Sequence, residues 1–278
     1  MNTTQRVIKY VAIGFAVLLT VVIISGAASL ISIIVSPINS RSKEIIDYEQ
    51  VFLDKIENLE INSRYSKLIV RPGGQFKVEA SNVSDDFKVE SRYGTLIVEE
   101  SNFINRFFNF NFGKFSNREA TITVYVPNDF MANRIDIDSG VGNVLLEDLS
   151  TDKLIINAGV GDIRGTNITA KEVEANGGVG NIDFTSVNFS DIEFNSGVGD
   201  VKLAGIISGK SEFECGIGDV EIDIKGSRED YALDIDSGMG RIRVNGNKIS
   251  SNYIDNFKSD NTIRIDGGIG NVDIDFND

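Results

Sequence analysis

The sequence predicts an all-β chain: a single-stranded, parallel β-solenoid with coils of about 19 residues, preceded by one transmembrane helix. Three observations point there. A glycine phrase, first seen as Ser139-Gly140-Val141-Gly142-Asn143-Val144, returns seven times within residues 135–276. Its first glycines, Gly140, Gly159, Gly178, Gly197 and Gly216, lie 19 apart, and Gly238 and Gly268 follow after 22 and 30. Its second glycines are Gly142, Gly161, Gly180, Gly199, Gly218, Gly240 and Gly270. The second observation is that apolar residues fall in fixed columns. The third is strict alternation before each glycine, as in Ile135-Asp136-Ile137-Asp138 and Leu233-Asp234-Ile235-Asp236, which is the two-residue period of a strand with one buried face.

Each coil therefore reads as strand, glycine corner, strand. Glycine suits the corner because backbone must pass close to backbone there. Two columns flank it: Val141, Val160, Val179, Val198, Ile217, and Val144, Ile163, Ile182, Val201, Val220. Both are assigned to the interior, with one extra residue spent on the bend. Further inward columns are Ile137, Ile156, Ala175, Phe194, Phe213, and Leu149, Ile168, Val187, Ile206. Coils stack at about 4.8 Å, so seven clear coils and two degenerate ones extend roughly 45 Å.

Before the repeats the chain divides into four stretches. Residues 1–9 carry Arg6 and Lys9 and form a cytoplasmic tail; residues 10–36 carry no charge and are long enough, at about 40 Å as a helix, to cross a bilayer with some tilt. A cleaved leader is the rival reading, since Ser25-Gly26-Ala27 offers small residues, but leader cores run to roughly 7–15 residues, so the run reads as a retained signal anchor. Arg41 and Lys43 beyond the span leave the positive-inside rule without a clear asymmetry; the short basic amino terminus is the part more easily retained inside, which places the large acidic domain outside. Residues 37–52 read as a linker with a helical turn or two around residues 43–50, and the solenoid domain as 53–278.

Two related phrases open that domain, Ser63-Arg64-Tyr65-Ser66-Lys67-Leu68-Ile69-Val70 and Ser91-Arg92-Tyr93-Gly94-Thr95-Leu96-Ile97-Val98, and read as atypical terminal coils. Next comes a segment with Phe103, Phe107, Phe108, Phe110, Phe112 and Phe115. It is either a hairpin packed on the solenoid flank or an exposed patch, with Phe107, Phe108, Phe110 and Phe112 as contact residues. Thr121-Ile122-Thr123-Val124-Tyr125-Val126-Pro127 then delivers a strand into a proline turn.

A strand ending in Val-Pro, followed by repeated Ser-Gly-φ-Gly-Asn/Asp-φ phrases, resembles the bacterial putative-adhesin family, domain of unknown function 4097, over residues 53–278. That resemblance implies right-handed β-helices, an amino-terminal membrane span in many relatives, an association of some with envelope stress, and no catalytic residues.

The chemistry read from residues agrees. With 278 residues, one cysteine and no histidine, the chain has no internal disulfide and lacks the usual general base and metal ligand. The glycine phrases run into strand rather than helix, which excludes a phosphate loop, and no cofactor is expected. Calcium-roll motifs need Asp where this chain places the apolar Ile182 and Val272. The column Asn143, Asp162, Asn181, Asp200, Asp219, Arg241, Asn271 reads as a hydrogen-bonding ladder in which Arg241 stands beside Asp219; a divalent-cation site between Asp200 and Asp219 is the sharper alternative. Cys215 shares a slot of small residues with Ser139, Ala158, Gly177, Ser196 and Ser237, and reads as packing.

Residues 135–278 hold 27 acidic and 12 basic side chains, so nucleic acid and anionic lipid are repelled. The expected role is a non-enzymatic, extracytoplasmic interaction or stress-sensing module, with an envelope polymer, a cationic peptide or another membrane protein as partner. A carbohydrate-active β-helix enzyme and a scaffold assembling through open terminal strands are the alternatives.

Overall fold

Apolar and polar residues alternate almost all the way round each repeat, so each repeat becomes strand almost all the way round. The computed structural model describes residues 45–100, 119–255 and 258–277. The expected membrane span at 10–36 and the phenylalanine segment at 103–115 lie outside the described residues. Among the described residues no helix is long and apolar enough to cross a membrane.

The strands are β1 (Ile45–Phe52), β2 (Asn58–Ser63), β3 (Ser66–Pro72), β4 (Phe76–Ser84), β5 (Lys88–Arg92), β6 (Thr95–Glu99), β7 (Ala120–Val126), β8 (Met131–Val141), β9 (Val144–Val160), β10 (Ile163–Val179), β11 (Ile182–Val198), β12 (Val201–Ile217), β13 (Val220–Lys225), β14 (Tyr231–Asp236), β15 (Ile242–Val244), β16 (Asn247–Ile249), β17 (Asn252–Ile254), β18 (Asn261–Ile269) and β19 (Val272–Asn277). From β8 to β13 they stack parallel and in register in chain order, so that Ile137, Ile156, Ala175, Phe194 and Phe213 form one buried row. Val144, Ile163, Ile182, Val201 and Val220 form another. Large and small residues alternate to fill the interior: Gly165 lies in register with Phe184, whose ring occupies the space a Cβ at 165 would need.

The inward pattern breaks its parity three times per coil, near residues 147–148, 152–153 and 159–162 of β9 and its following corner. At the first break Asp148, Asn167 and Ser186 stack in the left-handed region, with φ of 51°, 54° and 56°. Short polar side chains tolerate that region, and the Asn167 amide donates to Asp148 Oδ1 at 2.6 Å.

Two columns differ from expectation. Val141, Val160, Val179, Val198 and Ile217 stack in register, as expected, but on the outside, each 43–49% exposed. Inward alternation ends at Ala158; the bend across Gly159 and Gly161 swings Val160 outward before Ile163 re-enters the core. Ile206 is also exposed: a register shift after Thr185 pairs Val187 with Gly205, which takes the buried place in that column, while Ile207 pairs with Phe189 in the next inward row.

The ends of the stack depart from chain order. β18 lies between β12 and β14, and β19 between β13 and β15, so the last coil is inserted beneath the one that precedes it in sequence. Arg241 therefore does not stand beside Asp219; Asn271 does, and Arg241 follows one coil further out. At the other end β2 lies between β6 and β8, and β3 between β7 and β9. The two related opening phrases prove inequivalent. Residues 63–66 form a coil corner, whereas Tyr93 and Gly94, with φ of 50° and 75°, turn the antiparallel hairpin between β5 and β6. Residues 45–52 form a strand pairing antiparallel with β4, rather than a helical turn, because Ile46, Tyr48 and Phe52 alternate toward the core. β7 ends at the expected proline, where Phe130 N–H donates to the Pro127 carbonyl at 3.0 Å. Antiparallel strands cover both terminal coils: β4 and β5 at one end, the three-residue β16 and β17 at the other.

Candidate functional site

Among the described residues the glycine corner carries a surface that repeats in register from coil to coil. Val141, Val160, Val179, Val198, Ile217, Ile269 and Met239 follow one another in register and form an apolar ridge across seven coils. Glycines bound it on both sides. A Cβ on Gly161, Gly180 or Gly199 would run into the carbonyl oxygen of the neighbouring coil's glycine, so the ridge stands between two tracks of bare backbone.

Beyond one glycine track runs the corner ladder. Asn143 Oδ1 accepts the Asp162 N–H at 2.9 Å, Asp162 Oδ1 that of Asn181 at 3.0 Å, and Asn181 Oδ1 that of Asp200 at 2.9 Å. Asp200 Oδ1 then accepts from Asp219 at 2.9 Å, and Asp219 Oδ1 from Asn271 at 2.7 Å. Each side chain thus satisfies a main-chain donor that the bend removes from the strand ladder. Asp200 and Asp219, the residues singled out for a cation, each commit one oxygen to this ladder.

Beyond the other track runs a second ladder, Asp138, Asn157, Asn176 and Asn195, with amide-to-oxygen distances of 2.9, 2.8 and 2.8 Å. Its continuation, Glu214 and Asp266, approaches Glu212, and the carboxylate oxygens of these three lie within 4.8 Å of one another. Arg264 stands against Glu212 at 3.6 Å and Asp266 at 3.1 Å and supplies counter-charge. Sequence reasoning did not find this cluster, because it depends on β18 lying beside β12, 52 positions away from the matching glycine phrase.

An open groove of about 590 Å³ crosses the adjoining face over Asp152, Lys153, Lys171, Glu172, Asp191 and Lys210. Its charges pair internally, Lys171 with Asp152 at 2.7 Å and Lys153 with Glu172. Cys215 is buried in its small slot, and burial pushes its thiol up to about 12, which leaves little thiolate there near neutral pH. Phe107, Phe108, Phe110 and Phe112, the other contact residues expected, lie outside the described residues.

The family model described as Toastrack DUF4097 matches residues 56–273. This chain belongs to that family. The Toastrack match takes in every strand from β2 through the start of β19 and all seven glycine phrases. No curated protein matches the chain. Among solved structures, it is similar to a putative adhesin from Bacteroides fragilis, at 16% identity and a TM-score of 0.39, covering 84% of this chain and 98% of that one. A putative cell adhesion protein from Clostridium sporogenes follows at 14% identity and 0.37, covering 84% and 100%. A putative lipid binding protein from Parabacteroides distasonis stands at 12% and 0.33, covering 84% and 96%.

Proposed function

We propose that this Toastrack protein is a membrane-anchored, extracytoplasmic and non-enzymatic interaction module, adhesin-like or serving to sense envelope stress, that meets its partner along the corner ridge. The anchor is residues 10–36, with residues 1–9 in the cytoplasm. One observation carries the reading: seven apolar side chains lie in a single in-register row, six of them exposed and Ile269 half-buried, bounded by glycine tracks and by two ladders rich in Asp and Asn. An apolar stripe between acidic margins suits a partner with an apolar face and cationic or neutral flanks: an envelope polymer, a cationic peptide or another membrane protein.

The test is binding of the full chain to wall polymers and cationic peptides, compared with a Val160→Thr/Val179→Thr/Val198→Thr variant. Threonine keeps β-branching and volume. The variant is expected to bind at least about tenfold more weakly with an unchanged far-ultraviolet spectrum, a loss of about 1.4 kcal/mol. Equal binding by both proteins would remove the ridge from the reading. Reporter fusions at the two termini decide the side of the membrane.

A second reading, a carbohydrate-active enzyme, draws on one observation. Asp223 is held above the ordinary carboxylate range, first by burial and then by Glu221 and Asp275, and Asp275 is its register partner in the next coil. A raised acid beside a second carboxylate is the pattern of glycoside hydrolysis. Glycan turnover abolished by Asp223→Asn would favour this reading over the first.

A further inference from the structure

The path of the chain at its carboxyl end makes one coil an insert. β12 and β13 are followed, through residues 226–230, by β14 and β15, which lie two coil spacings away, about 9.6 Å. Only afterwards does the chain return and fill the gap with β18 and β19. A chain made from its amino terminus therefore emits β14 and β15 before the coil that finally lies between them and β12–β13. The other end imposes no such order: β2 and β3 form first, β6 and β7 add to one side of them, and β8 and β9 to the other.

The gap is specific in its register. Ile263 is paired with Ser211 on one side and Leu233 on the other; Ile265 with Phe213 and Ile235; Val272 with Val220 and Ile242. At the corner Gly268 approaches the Gly216 carbonyl, while the Met239 N–H donates to the Gly268 carbonyl at 2.9 Å and the Gly270 N–H to the Met239 carbonyl at 3.0 Å. The slot thus accepts a strand, a glycine corner and a strand of one sequence pattern, held by main-chain hydrogen bonds on both edges. The coil that fits, β18–β19, is present in every copy of this chain.

We propose that the slot between β12–β13 and β14–β15 is a strand-accepting site, and that β18–β19 of a second copy occupies it in trans, giving a strand-exchanged dimer. Exchange needs no new contact: each pairing made in one chain is remade between two. A chain's own coil has the advantage of tethering, so exchange is favoured where chains fold at high concentration.

The experiment uses full-length chains in a Cys215→Ser background. Lys210 and Thr262 are register partners on the outward face of the slot. Lys210→Cys chains are mixed with Thr262→Cys chains, unfolded, and refolded together at high protein concentration under mild oxidation. Exchange places the two cysteines side by side, and a disulfide-linked heterodimer is expected at about tenfold or more the yield from Lys210→Cys mixed with Asp266→Cys, whose register partner is Glu214. The double variant Lys210→Cys/Thr262→Cys, refolded dilute, checks the pairing by closing the bond within one chain. Equal yields from the matched and mismatched mixtures overturn the proposal. A second readout needs no cysteine: the unaltered chain refolded dilute and concentrated is compared by sedimentation. A dimer fraction rising with refolding concentration supports exchange, and a monomer throughout overturns it.

Discussion

Asp219 Oδ1 accepts the main-chain N–H of Asn271 at 2.7 Å, across 52 positions of sequence. Asp200 does the same for Asp219 across 19. The two bonds are alike in geometry, so the corner ladder continues through the place where the chain path is broken. What the solenoid requires is a neighbouring coil of the right form, whichever part of the chain supplies it.

Asp200→Asn and Asp200→Ala separate the ladder's hydrogen bond from its charge. Asparagine keeps the oxygen that accepts from Asp219 and removes a negative charge beside another, so its melting temperature is expected to equal or slightly exceed that of the parent. Alanine strands the Asp219 N–H and costs about 1 kcal/mol, or roughly 3 °C in a domain of this size. Calorimetry of the two variants checks the order. A rise in melting temperature with calcium that Asp200→Asn abolishes would instead mark Asp200 and Asp219 as a cation site.

Much of this architecture was legible because a solenoid writes its period into the sequence. The spacing of Ile137, Ile156, Ala175, Phe194 and Phe213 predicts one inward row, and they form it. The spacing of the Val160 column predicts its stack correctly and its side wrongly. Apolar character marks a column as regular, but only the backbone path through Gly159 and Gly161 sets which way it points. The insertion of β18 was hidden for a related reason. The glycine phrases are alike in sequence, so spacing along the chain alone does not order the last two coils; only the unequal intervals of 22 and 30 residues point to a detour. The partnership of Glu212 with Arg264 and Asp266 was hidden with it.

Two glycines of the same coil should respond oppositely to alanine. Gly180 has φ of 143°, and its Cβ would collide with the Gly161 carbonyl, which is backbone and cannot move aside. Gly180→Ala is expected to cost on the order of 3 kcal/mol or more. Gly177 occupies the small slot where Ala158 and Ser196 sit in the coils on either side, and its Cβ would meet Ile182 Cδ1 at 3.3 Å and Cγ1 at 3.5 Å, side-chain atoms that need give by only a few tenths of an ångström, with the Asn195 carbonyl at an ordinary 4.0 Å. Gly177→Ala is expected to be neutral or stabilising by up to about 1 kcal/mol, through lost freedom of the unfolded chain. Urea titration of both variants reads the difference directly.

Cys215 gives a chemical readout of whether the stack is closed. Cys215 is 6% exposed and burial raises its thiol to about 12, so at pH 8 the native chain holds little thiolate there. Maleimide labelling is expected to proceed only as fast as the corner opens, and to become rapid in denaturant. Rapid labelling of the native chain would show that β12 and the inserted β18 separate readily. The same assay applied to Gly180→Ala should show faster labelling.

Asp223 gives stability a pH dependence of definite sign. Burial first, then Glu221 and Asp275, raise it above its ordinary 3.8, while Lys202 partly opposes them. The folded state therefore binds the proton more tightly than the unfolded chain. The contribution of Asp223 is most favourable below 3.8 and declines as pH rises toward the raised folded value, beyond which the penalty for a charged Asp223 is constant. Asp223→Asn imitates the protonated form at every pH. The variant is expected to melt above the parent at pH 7 and to lose that margin at about pH 3, where both side chains are neutral. A margin independent of pH would show that the gain comes from packing against β19 rather than from relief of the charge.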